Sequence, residues 1–192
     1  MQPPEEGSIT RLLEAHRAGD QGAFDRLVEL AYGELRRLAR RQLRRMPGRK
    51  DLETGTLIHE AYLRLAAESG LELREREHFF AVMARAMRFV VVDHARRRSA
   101  AKRGGGLDLT TLETGVAAGG AEPERVLAVD GAIATLDGFA PRLARIVECR
   151  FFAGLSDGEI AGALDVSVRT VQREWLRARA WLQKTLASSP AG

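Results

Sequence analysis

Arginines recur at positions 169, 173 and 177 near the C-terminal end of the chain. At 100° per residue they fall on one side of a helix, with Thr170 beside them. Guanidinium groups are forked donors that fit phosphate oxygens and the acceptor edge of guanine. Val168, Val171, Trp175, Ala178 and Leu182 take the opposite side, so one face is built for a core and the other for an anion. The residues before this helix set its start. Ser156 with Glu159 is a capping box, and Leu155 with Ile160 is a hydrophobic staple. The short helix they open ends near Leu164. Asp165-Val166-Ser167 is a tight connection, in which Asp tolerates the left-handed backbone. Ser167 then caps the second helix. Gly154 to Leu182 therefore reads as a helix-turn-helix, the unit that puts a helix into the DNA major groove. Its candidate DNA contacts are Ser167, Arg169, Thr170, Gln172, Arg173 and Arg177. Base contacts are expected at Arg169, Thr170 and Arg173, and a phosphate contact at Arg177.

Other residue pairs invite other chemistries. His59-Glu60 resembles the start of a zinc-protease motif, but the second His is needed four residues on, where the chain has Leu63. Asp93-His94 suggests a metal phosphohydrolase, yet His16, His59 and His78 show no paired ligand spacing. Gly104-Gly105-Gly106 follows a helix rather than a strand and does not read as a phosphate loop. No metal, cofactor or catalytic residue is expected. A helical hydrolase using His59, Glu60, Asp93 and His94 stands as a distant alternative. A DNA-binding regulator with an unrelated N-terminal half is a nearer one. Arg96, Arg97, Arg98, Lys102 and Arg103 cluster at a helix end, more cations than the helix dipole calls for, and phosphate binding is the expectation.

The elements that position these groups read as helical throughout. Ile9, Leu12, Leu13 and His16 open a first helix, interrupted at Gly19-Asp20. Phe24, Leu27, Val28, Ala31, Leu35, Leu38 and Leu43 carry a second towards Pro47-Gly48. A third runs from about Thr54 to Glu68, with Leu57, Ile58, Ala61 and Leu65 inward. Ser69–Glu77 is a charged connection. A fourth begins near His78 and stripes Phe79, Met83, Met87, Val90 and His94 on one side. Helices are expected over 124–136, 142–153, 156–164 and 168–186, with Pro141 in a first turn. No sustained period-two alternation predicts a sheet.

Charge divides the 192 residues further. Residues 1–103 hold 21 Lys/Arg against 15 Asp/Glu, net +6; residues 104–124 hold four acids and no base; the remainder is net +2. Six glycines and small residues mark 104–123 as a flexible linker. The expected layout is an N-terminal helical domain (1–103), the linker, and a C-terminal helix-turn-helix domain (124–192). Cys149, the single cysteine, excludes an intrachain disulfide and reads as a small core residue. No run is apolar enough to span a membrane, and the acidic start lacks a secretion signal, so the cytoplasm is the expected compartment.

Three stretches in this order resemble the extracytoplasmic-function (ECF) sigma factors. TLIHEAYLRLA (56–66) is similar to region 2.2, HFFAVMARAMRFVVVDHARRR (78–98) to regions 2.3 and 2.4, and 154–182 to region 4.2. Leu57-Ile58-His59-Glu60 stands where that family often has Asp-Leu-Val-Gln-Glu. Phe89 replaces an Asn after Arg88, and Asp165 replaces a turn glycine. The resemblance implies an all-α protein of two small domains that binds core RNA polymerase, reads minus-10 and minus-35 promoter elements and promotes melting. It puts His59, Glu60, Tyr62, Leu63 and Arg64 against the β′ clamp helices and the second domain near the β flap. Arg85, Arg88, Arg96, Arg97, Arg98 and Lys102 join the DNA-contacting set. An anti-sigma factor is an expected further partner.

Limited proteolysis is expected to cut first between Gly104 and Pro123 and to leave two resistant fragments. A first cut within either helical stretch contradicts the two-domain layout.

Overall fold

The computed structural model describes residues 6–20, 22–44, 52–68, 70–103 and 121–188, and all regular structure among them is helical. Helix α1 (Glu6–Arg17) folds back on α2 (Ala23–Arg44). The turn between them forms at the expected Gly19-Asp20, where the Asp20 carboxylate accepts from the Gly22 amide at 2.9 Å. The stop expected at Pro47-Gly48 lies outside the described residues. α3 (Thr54–Ala66) buries Leu57, Ile58, Ala61 and Leu65, the expected inner face. α4 (Arg76–Arg103) is the longest helix and the centre of the fold. Its expected stripe of Phe79, Met83, Met87 and Val90 is buried, but so are Phe80, Ala84, Arg88, Val91 and Ala95. A helix buried on more than one face has neighbours on more than one side. Here α3 lies on one side of α4 and the C-terminal half on another.

That half starts with α5 (Ala121–Phe139), longer at both ends than the expected 124–136. Pro123 did not delay it, because a first turn has no amide bond for proline to break. The linker expected at 104–123 otherwise lies outside the described residues. α6 (Pro141–Val147) has proline in its first turn, as expected. The helix expected to run on to 153 instead widens into a π turn, Glu148–Ala153, ended by Gly154 in the left-handed conformation at φ 69°. α7 (Asp157–Leu164) and α8 (Val168–Ser188) follow. Ile146, Cys149, Ile160, Ala161 and Val171 form their shared core. Cys149 is a buried core residue as read from the sequence, and burial pushes its thiol up to about 12.

The two halves are not separate bodies. Val126, Ile133, Leu136, Val147 and Phe152 belong to the same apolar cluster as the cores of α1 to α4. Polar contacts stitch the seam. Arg41 donates to the Ala153 carbonyl at 3.2 Å, and Gln42, which also bonds the Ala84 carbonyl within the N-terminal half (3.0 Å), donates across the seam to the Phe152 carbonyl (3.5 Å). Arg41 comes so close that a Cβ on Gly154 would lie 1.2 Å from its Nη1. Gly154 is thus required twice, by its backbone and by its neighbour. Gly154→Ala is expected to cost about 1–2 kcal/mol from the left-handed backbone alone, read as a lowered urea midpoint. An unchanged midpoint would show that neither constraint matters.

Candidate nucleic-acid and partner interfaces

The helix-turn-helix forms as its sequence dictates. The Ser156 amide donates to Glu159 Oε2 at 2.7 Å, and the Glu159 amide donates to Ser156 Oγ at 3.3 Å. Burial works against the ionised Glu159, but the Ser156 hydroxyl and amide outweigh it and hold the carboxyl below its ordinary value. Asp165 takes the left-handed conformation at φ 52°, ψ 52°. Ser167 Oγ accepts from the Thr170 amide at 3.1 Å and lies 2.9 Å from the Thr170 hydroxyl. Both candidate contacts are therefore tied into the cap of α8.

Along α8, Val171 and Ala178 are fully buried, with Trp175 and Leu182 half-buried. Val168, expected on that stripe, is 43% exposed, so the packed face begins one residue triplet later. Arg169, Arg173 and Arg177 lie exposed on the outer face, and exposed Gln172 reaches Asp157 at 3.4 Å. The sequence reading missed Glu174. It is buried on α8, and its carboxylate accepts a forked pair of bonds from Arg142 of α6, one at 2.7 Å. No periodicity marks such a residue, since a Glu beside arginines also fits a solvated face.

The basic residues of α4 are arranged otherwise than expected. Arg88 is 4% exposed, with its guanidinium 2.8 Å from Asp130 of α5 and 2.8 Å from Glu148 of the π turn. Arg85 lies 3.8 Å from Glu148, and Arg96 3.3 Å from both Asp93 and Asp130. Burial pushes the Glu148 carboxyl up against the opposing pull of Arg88 and Arg85. Arg97 is exposed and bonds the Asp93 carbonyl at 3.4 Å, Arg98 is half-buried, and the Lys102 side chain lies outside the described set. Between α4 and the 70–75 connection is a cleft of about 560 Å³, lined in part by Arg64, Leu71, His78, Arg85 and Phe89. Burial and the nearby Arg74 and Arg145 push His78 down from its ordinary value.

A second surface lies on α2 and α3. Tyr62 stacks on Phe24 (5.8 Å between ring centroids) and on His59 (6.2 Å), and its hydroxyl donates to Asp25 at 2.9 Å. That bond raises the Tyr62 pKa. Tyr62, His59 and Ile58 line a groove of about 450 Å³ with Val28, Glu29 and Tyr32 of α2. Tyr32 and Leu63 are exposed large side chains beside it. Tyr32 was missed because a lone Tyr on an amphipathic helix carries no signal until α3 lies against it. Arg64 turns the other way. It pairs with Asp93 at 3.1 Å and lies over the Phe89 ring at 5.4 Å, bridging α3 to α4. Glu60, on α3, is half-buried.

A family profile described as ECF sigma factor matches residues 6–188, nearly the whole chain. The chain belongs to the ECF sigma factor family. No curated protein sequence matches it. Sigma factors bind DNA in transcription initiation, and the family is not a class of enzymes. Among the described residues of this ECF sigma factor, no three His, Cys, Asp or Glu side chains come together to hold a metal ion. No helix among them is long and apolar enough to cross a membrane.

The Arg142–Glu174 clamp holds the recognition helix α8 on α6 and has a signed pH dependence. The Arg142 bond lowers the Glu174 carboxyl in the folded chain from its ordinary 4.5. Below that ordinary value the unfolded chain takes up the proton first. The clamp therefore stabilises the fold above 4.5 and is lost as pH falls through the lowered folded value. Arg142→Ala is expected to flatten the acid limb of the stability–pH curve in urea unfolding. An acid limb identical to that of the unmodified protein would remove the clamp from the account.

Proposed function

We propose that the chain binds core RNA polymerase, directs it to a two-part promoter and assists melting of the minus-10 element. The observation that carries this reading is the outer face of α8. Arg169, Arg173 and Arg177 stand exposed on a helix whose start is fixed by Ser167 and whose inner face is packed. Such a helix reads the major groove with its first turns. Arg169, Thr170 and Arg173 are the base-reading residues for the minus-35 element, and Arg177 holds phosphate.

The groove of Tyr32, His59 and Tyr62 with exposed Leu63 is the polymerase-docking surface, facing the β′ clamp helices. Aromatic side chains in a shallow groove suit such a contact, because they supply most interface energy at little entropic cost. Glu60 and Arg64 flank it, Arg64 already committed to Asp93. The cleft beside Phe89 and Arg85 suits a base extruded from the minus-10 strand, where stacking offsets the few kcal/mol of unstacking. The C-terminal half would meet the β flap, and an anti-sigma factor would compete for either surface. With no span-length apolar helix among the described residues, the reading fits a cytoplasmic protein.

Run-off transcription with core polymerase on genomic fragments tests the whole reading. Arg173→Ala is expected to cost about 1–3 kcal/mol on the preferred minus-35 sequence and to relax discrimination there. Arg177→Ala should weaken all sequences alike and lower the salt slope by about one. Full minus-35 discrimination in Arg173→Ala would contradict the groove-facing role of α8.

A further inference from the structure

His16 on α1 lines neither the cleft beside Phe89 nor the aromatic groove on α2 and α3. Its ring lies half-buried against Phe24, 5.9 Å between centroids, and Nε2 donates to the Leu71 carbonyl at 2.9 Å. A carbonyl oxygen can only accept, so Nε2 carries a proton. The bond ties α1 to the connection that precedes α4. We propose that His16 is a positioning residue for promoter melting: by holding Leu71 it sets the wall of the cleft that takes the extruded base. The inference rests on the proposed melting function and adds α1 to it.

The surroundings of this bond make it decisive. Gly70, Leu71 and Glu72 line the cleft beside Phe89 on one side. On the other side the same three residues line a second cleft of about 1220 Å³, which reaches His16 and the α1–α2 turn at Gly19 and Asp20. The connection is therefore a thin wall with open space on both faces. Among the described residues, no backbone–backbone hydrogen bond ties 70–74 to a neighbour. What holds the wall is the His16 bond, the Arg74 amide donating to His78 Nδ1 at 3.3 Å, and the fully buried side chain of Leu73. The last two hold the end nearest α4. Only the His16 bond holds the part that shares a cleft with Phe89. A segment without backbone pairing opens locally at small cost, so one side-chain bond sets how often the wall stands in place.

The test compares the unmodified full-length chain with two variants. His16→Phe keeps a ring against Phe24 and removes the donor. His16→Gln restores the donor, since its amide nitrogen stands as many bonds from Cβ as Nε2 does. Trypsin cleavage after Arg74, followed by mass spectrometry, reads the wall in the free chain, because such cleavage tracks the open population. Run-off transcription from one promoter, fully paired or with its minus-10 bases held unpaired by mismatches, reads melting. His16→Phe is expected to speed cleavage and to slow run-off from the paired template, each by roughly 3- to 10-fold, the factor that one neutral hydrogen bond commands. On the mismatched template, where unstacking is already done, it is expected to match the unmodified chain. His16→Gln is expected to restore both readouts. Unchanged cleavage overturns the anchor. Faster cleavage with unchanged run-off, or with an equal loss on both templates, overturns the positioning role, and so does a Gln variant that restores nothing. Should His16→Phe fail to fold by circular dichroism, His16→Met, which also lacks a donor, takes its place with the same expectations. An unmodified chain that directs no run-off from either template sinks the sigma-factor reading and this inference with it, while the cleavage rates still read the anchor.

Discussion

Everything in this fold turns on the guanidinium of Arg88. It sits at the middle of the longest helix, nearly excluded from solvent, over the rings of Phe89 and Phe152. A buried charge is tolerated only where it is paired and hydrogen-bonded. Neither of its acidic partners lies on α4 or elsewhere in the N-terminal half. Asp130 and Glu148 must be brought to it, and bringing them sets α5 and the π turn across α4. The apolar contacts of Phe152, Val147 and Ile133 then close around the charged centre. The π turn itself supplies the Glu148 side chain, in keeping with the tendency of such turns to occur where function needs a locally widened helix.

The two outward surfaces depend on quite different forces. The groove on α2 and α3 is shaped by aromatic contact and one hydroxyl–carboxylate bond, Tyr62 to Asp25. It is fixed by packing within the N-terminal half and does not depend on how the halves meet. The outer face of α8 is shaped by caps at its start and by the Arg142–Glu174 clamp along its length. One surface thus presents preset rings, and the other presents exposed guanidinium groups. The basic residues of α4 differ from both, since Arg88 and Arg96 are paired with carboxylates of the C-terminal half.

Arg64 and Arg173 show how one residue type comes to different surroundings through its neighbours alone. Both are arginines on helices that the sequence marks as contact-making. Arg64 is half-exposed yet committed to Asp93 and Phe89, so it braces α3 on α4. Arg173, with no more local distinction in the sequence, stands outward beside a carboxylate that is already held by Arg142.

The sequence by itself determined what depends on near neighbours in the chain. The capping box at Ser156 and Glu159, the left-handed turn at Asp165, the cap at Ser167 and the buried faces of α2 and α3 all follow from spacing within a few residues, where hydrogen bonds and periodic burial are local. The family membership rests on a profile match over residues 6–188. What the tertiary structure alone decided concerns partners far apart in sequence. The pairing of Arg88 with Asp130 and Glu148, the pairing of Arg142 with Glu174, and the placing of Tyr32 and Tyr62 along one groove leave no periodic trace. A charged or aromatic side chain on a helix looks the same in sequence whether water or another helix faces it. The second buried face of α4 is the intermediate case. Its run of apolar residues from Phe79 to Val92 was visible, but which element would cover it was a question of long-range packing.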